Sequence, residues 1–120
     1  GATGRVLLSQ VEKEKSREII QKKGLVRYTS KTVIDQKQFQ KEIEKAKGQG
    51  YAVDDEEYIP GVRAVAAPLV FPSSPPAALW VVGFTSTLDD QKVKTVIREI
   101  QGAIREIKQS LDGTLVKGTL

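Results

Sequence analysis

The residues with the most obvious capacity for chemistry are four consecutive carboxylates, Asp54, Asp55, Glu56 and Glu57. Paired carboxylates carry general acid–base and glycosidic chemistry when two of them face one substrate. In an extended bend, however, successive side chains point to opposite sides, so this run divides between the interior and the solvent. A glycosidase-like pair would also require a sugar cleft with aromatic platforms, for which one Trp, three Tyr and three Phe offer little material. An internal ion pair between Glu57 and Arg63 is the simpler expectation for part of the run. The chain has no Cys and no His. Thiol nucleophiles, disulfides and thiolate zinc sites are therefore excluded, as are Ser-His-Asp catalysis and most transition-metal sites. No catalytic residue, metal-ligand set or cofactor is expected.

A second group of residues suits binding rather than catalysis. Gly1, Ala2, Thr3 and Gly4 open a helix with small side chains, which leaves backbone N–H groups approachable by an anion and adds the Thr3 hydroxyl. The same small residues would equally let the helix pack closely on a sheet. Further on, Val62 and Ala64 alternate along one strand candidate, and Trp80 and Val82 along the next, so all four share one wall. That wall is either a ligand pocket or core beneath a long helix.

The elements that must position these groups can be read from periodicity. Residues 5–8 form a short buried helix, and Ser9 with Glu12 makes a capping-box pattern that starts a second helix running to about Lys23, with Gly24 beyond its end. Leu25 to Ile34 reads as a connector. Asp35 and Gln38 repeat the capping pattern before Phe39, Ile43 and Ala46, and Gly48 and Gly50 close this third helix. Tyr51–Val53 is a strand candidate, followed by the acidic bend and Pro60-Gly61. Val62–Phe71 is apolar enough for a strand covered on both faces, and Pro72–Pro76 turns the chain into Ala77–Thr85, giving an antiparallel hairpin. Val93, Val96, Ile97, Ile100, Ile104, Ile107 and Leu111 then form a stripe along a long helix over 90–111, with Gly113 as its expected stop and a frayed, flexible tail over 114–120. The class is α+β, with a mainly antiparallel sheet flanked by helices.

At 120 residues, 39% hydrophobic and 28% charged, the chain fits one domain with one core. No stretch is long and apolar enough for a membrane span, and no leader of the secretory type is seen, so a cytoplasmic protein without membrane contact is expected. The net charge of +4 is uneven: residues 1–50 hold 12 basic and 6 acidic side chains, and residues 51–60 hold 4 acidic and no basic ones. In the basic half, Glu12, Glu14 and Glu18 interleave with Lys13, Lys15 and Lys22, the pattern of a solvated helix face more than of a nucleic-acid site.

Several stretches resemble the C-terminal effector domain of IclR-type transcription regulators, a GAF-like fold. Gly1-Ala2-Thr3-Gly4-Arg5-Val6-Leu7-Leu8-Ser9 is similar to the family's small-residue helix opening. Tyr28-Thr29-Ser30-Lys31-Thr32-Val33 resembles its Tyr-Thr-x-x-Thr connector. Gly50 to Pro68, with Gly50-Tyr51, Gly61-Val62-Arg63 and Ala66-Ala67-Pro68, is similar to its most recognisable stretch, and Ser110-Leu111-Asp112-Gly113 to its ending. The resemblance covers residues 1–113. It departs at Trp80, where the family often has a small residue, in the Pro-Ser-Ser-Pro-Pro turn, and at Phe84 and Thr87, which replace a common Pro and Arg.

The resemblance implies a partial effector-binding domain over 1–113 that senses a small organic acid or aromatic compound. Its pocket would be lined by Ala2, Thr3, Asp54, Val62, Ala64, Trp80 and Val82, with Leu7 as a weaker candidate, and Asp54 would bond a polar group of the ligand or close the pocket mouth. Trp80 would either stack on the ligand or fill the space. Homodimers or tetramers are implied, and DNA contact only through a helix-turn-helix domain preceding Gly1. A dimerising interaction domain without a ligand is the alternative, and an enzyme the remotest reading.

Overall fold

The computed structural model describes residues 1–119, with side chains through Leu111. Four helices and three strands follow one another as α1 (Ala2–Leu8), α2 (Lys13–Lys23), α3 (Gln36–Gln49), β1 (Ala52–Asp55), β2 (Val62–Pro68), β3 (Ala78–Phe84) and α4 (Asp90–Thr119). The expected α+β class and element order hold.

The sheet is antiparallel in the order β1-β2-β3, with Ala64 opposite both Asp54 and Val82, and Ala66 opposite Ala52 and Trp80. Because the pleat alternates side chains, this register sorts the sheet into two faces. One face carries Ala52, Asp54, Val62, Ala64, Ala66, Ala78, Trp80, Val82 and Phe84. It packs through its alanines against Ala2 and Val6 of α1 and Ala46 of α3. The other presents Val53, Val65, Ala67 and Leu79 to Val93, Val96, Ile97, Ile100 and Ile104 of α4. Central β2 is thus covered on both sides. The small side chains of its α1 face let that helix lie close, while the longer apolar stripe of α4 fills the opposite layer.

Local signals explain most boundaries. The Asp35 carboxylate accepts hydrogen bonds from the backbone N–H groups of Lys37 and Gln38, capping α3, and Gly50 ends that helix in the left-handed region at φ 80°. Gly48 lies inside the helix instead. The capping box expected at Ser9 and Glu12 does not form. Ser9 ends α1, its hydroxyl donating to Val6 O at 2.6 Å, and α2 starts at Lys13 with no side-chain cap. β1 extends into the acidic run as far as Asp55, and β2 stops at Pro68 rather than Phe71. α4 continues past Gly113 to Thr119, because a helical glycine lowers stability without breaking the turn; Leu120 lies outside the described residues.

Candidate functional site

α1 crosses the sheet with a fixed rotational setting. Ala2, Arg5, Val6 and Ser9 are its buried side, facing the sheet and α3. At about 100° per residue, Arg5 lies on one flank of that side, while Thr3 and Leu7 lie on the other.

The Arg5 flank points to β1. Its guanidinium, with the residue only 4% exposed, donates to Glu57 Oε2 at 2.8 Å, to Val53 O at 2.6 Å and to Glu42 Oε2 at 3.3 Å. Three elements are thereby tied together. Burial pushes the Glu57 carboxyl above its ordinary range; Arg5 pulls it the opposite way and Asp54 adds a smaller upward push. Arg63, expected to pair with Glu57, instead bonds Asp55 Oδ1 at 2.8 Å and Asp90 Oδ1 at 3.2 Å. The register explains the correction: Asp55 is the direct cross-strand partner of Arg63, on the sheet face away from α1.

The other flank points to β3. Gln10, on the same side of the helical track as Thr3, donates from Nε2 to Ala77 O at 2.8 Å and accepts from Ala77 N at 3.2 Å. This pair fixes the end of α1 over the start of β3. Beyond it the α1 face of β3 stands open, with Trp80 52%, Val82 45% and Phe84 69% exposed. The hydroxyl of Thr3 is buried and has no hydrogen-bond partner.

Asp54 lies beneath the start of α1 and is 8% exposed. Its Oδ1 accepts from Glu57 N at 2.8 Å, and its Oδ2 is so placed that a Cβ on Gly1 would stand 2.8 Å from it. Gly1 is therefore the residue type that lets this carboxylate reach the first turn. The α1 terminus already faces an acid, so the expected attraction of a ligand anion to that terminus is offset.

The structure thus brings the eight expected residues to one side of the sheet. Asp54, Val62, Ala64, Trp80 and Val82 share the α1 face, Ala2 seats on it, and Thr3 and Leu7 lie on the flank of α1 that also carries the Gln10 contact to β3. The reading of Val62, Ala64, Trp80 and Val82 as core beneath the long helix fails, since α4 covers the opposite face. What they form is an apolar shelf, not an enclosed cavity. A groove of about 680 Å³ lies between α2 and α3, and one of about 320 Å³ beside β1. Gln10 and Phe84 belong to this region although spacing did not mark them, and Arg5, on the opposite flank of α1, ties that helix to β1 and α3. Arg5 stands three residues after Ala2, on the buried helical track, and that spacing is the signal for it in the sequence.

Among the described residues no helix is long and apolar enough to cross a membrane, and no cluster of carboxylates could hold a metal ion.

The family described as bacterial transcriptional regulator, IclR C-terminal, matches residues 1–109. The acetate operon repressor of Salmonella typhimurium is 30% identical over 112 residues, which is 92% of this chain and 41% of that protein. Among solved structures, the inducer-binding domain of a double mutant of the PobR transcription factor from Acinetobacter, in complex with 3-hydroxybenzoic acid, superposes with a TM-score of 0.83. It is 29% identical, over 89% of this chain and 62% of that one. The Thermotoga maritima IclR superposes with a TM-score of 0.82 at 25% identity, over 92% of this chain and 45% of that one. The chain spans about two-fifths of the length of the curated relatives it matches.

Proposed function

This chain belongs to the IclR family of bacterial transcriptional regulators, as their C-terminal domain, and from that premise we propose that residues 1–113 bind a small organic effector on behalf of a DNA-binding regulator. The curated relatives are transcriptional repressors and not enzymes. The observation that carries the proposal is the register placing Asp54, Val62, Ala64, Trp80 and Val82 on the face that α1 covers, with Ala2, Thr3 and Leu7 above them.

The effector is a small carboxylic acid or an aromatic compound. Its apolar body lies on Trp80 and Val82, its polar group meets the unpartnered Thr3 hydroxyl, and Asp54 accepts from a hydroxyl it carries. The hydroxylated aromatic acid bound by the PobR domain is of this chemistry. DNA is contacted through a helix-turn-helix domain outside these residues, in a cytoplasmic homodimer or tetramer that also shields the edge of β3. A coupling of roughly 1–3 kcal/mol between effector and DNA suffices for a several-fold to hundredfold change in operator occupancy.

Thermal melts against a panel of carboxylic and aromatic acids test this. A ligand at about a hundred times its Kd should raise the melting temperature on the order of 5–10 °C. A panel without any shift counts against effector binding. The alternative, an interaction domain whose pocket Trp80 has closed, is disfavoured by the half exposure of that side chain.

A further inference from the structure

α2 and α3 pack against each other chiefly at one level, where Ser16 of α2 donates to Gln40 Oε1 of α3 at 3.4 Å. Between them runs an open groove of about 680 Å³ with Ile20 at its floor. One lip carries Lys13 and Arg17 from α2, the other Lys37 and Lys41 from α3. All four are exposed, and the groove's carboxylate is Glu44. Of these four cations, only Arg17 has an ion-pair partner among the described residues, Glu14 at 3.4 Å, half in solvent. Gln40 also lines the groove, and its amide nitrogen is buried with no hydrogen-bond partner.

On each lip the two cations are four residues apart, so they stand one turn, about 6 Å, from each other along the helix axis. The groove therefore presents two rows of positive charge separated by an apolar trough, with one unmet donor inside. We propose that it docks an acidic amphipathic helix of a partner protein. Such a helix lays aliphatic side chains into the trough and offers carboxylates, one turn apart, to both rows.

Other occupants match less well. A second copy would bring the same four cations against themselves. A small molecule would leave most of its surface in water in so open a groove, whereas ligand sites bury most of theirs. A nucleic-acid backbone would meet the cations but leave the apolar floor unfilled. None of these residues borders the α1–β3 shelf, so the proposal stands apart from effector binding.

The probe is a fluorescein-labelled peptide of about four helical turns, with leucine at i, i+3, i+4 and i+7 and glutamate on both flanks. Versions carrying glutamine or lysine in place of the glutamates serve as controls. Fluorescence anisotropy against the 120-residue chain should show saturable binding of the glutamate peptide alone, weaker as salt is raised. Amide NMR shifts should map it to α2 and α3. Reversing the exposed lip in Lys37→Glu/Lys41→Glu, with folding verified by circular dichroism, should weaken the glutamate peptide about tenfold or more and permit the lysine peptide to bind. No binding, equal affinity for the glutamine peptide, unchanged affinity in the reversed variant, shifts mapping to β3, or displacement by a DNA duplex would each overturn the proposal.

Discussion

Gln10 and Ala77 exchange two hydrogen bonds across 67 residues of sequence, the side-chain amide of Gln10 donating to Ala77 O at 2.8 Å and accepting from Ala77 N at 3.2 Å. A side-chain amide here takes the place of a neighbouring strand, satisfying the backbone of Ala77 just where β3 begins. This pair ties the end of α1 to the start of β3. Replacing Gln10 by Ala leaves Ala77 N without a partner, while Ala77 O keeps its bond from Leu69 N at 2.9 Å, and should cost about 1–3 kcal/mol in urea unfolding. An unfolding free energy unchanged in that variant would show that the bridge does not hold α1 in place.

Arg5 is the corresponding tie on the other flank. Arg5→Met leaves Glu57 and Glu42 without their cation in a largely buried setting and should cost about 3 kcal/mol or more by denaturant unfolding. Adding Glu57→Gln removes the abandoned charge, so the double variant should be more stable than the sum of the single losses allows. Strict additivity would mean that the two side chains act independently.

Adjacent glutamates should respond to pH in opposite directions. The Lys31 hydrogen bond, followed by the Gly61 amide, holds the Glu56 carboxyl below its ordinary value of 4.5, whereas burial lifts that of Glu57 above it. Glu56 therefore contributes stability that is present above pH 4.5 and is lost as pH falls through its lower folded value. Glu57 has the reverse sign: the folded state holds its proton more tightly, so its contribution falls as pH rises from 4.5 through the raised value. Melting curves of Glu56→Gln and Glu57→Gln against the parent chain, taken across pH 3–7, should show differences that trend oppositely. Parallel trends would contradict these assignments.

How much of this was legible in the sequence depended on whether the cause was local. Asp35 caps α3 as its spacing with Gln38 suggests, because a cap needs only the next turn. The long stripe from Val93 to Ile104 identifies a helix that must cover an apolar sheet face, and it does. Ser9 and Glu12 have the same spacing but fail, because the Ser9 hydroxyl finds the Val6 carbonyl of the preceding helix. Long-range choices were not legible. Arg5 and Arg63 are both candidate partners for Glu57, and only the fold decides between them: the crossing of α1 over the sheet brings Arg5 to Glu57, and the β1–β2 register puts Asp55 opposite Arg63. At the site, strand alternation identified the shared face of Val62, Ala64, Trp80 and Val82, but whether α1 or α4 covered it required the fold.

Residues 114–119 form the last turns of α4, and none of them is among the residues assigned to the proposed site. Deleting them should leave both the melting temperature and effector-induced stabilisation at the parent's values. A loss of either in differential scanning fluorimetry would place part of the folding core or the binding site in that segment.

The central claim is that an effector lies on the shelf between α1 and β3, where Trp80, the chain's single tryptophan, half-faces solvent. Intrinsic fluorescence therefore reports on the site without any label. Titration with 3-hydroxybenzoate and a panel of related organic acids should give, for at least one of them, a saturable change in Trp80 emission that Thr3→Val weakens about tenfold. An emission spectrum that stays constant for every acid, or a change that Thr3→Val leaves intact, would contradict it.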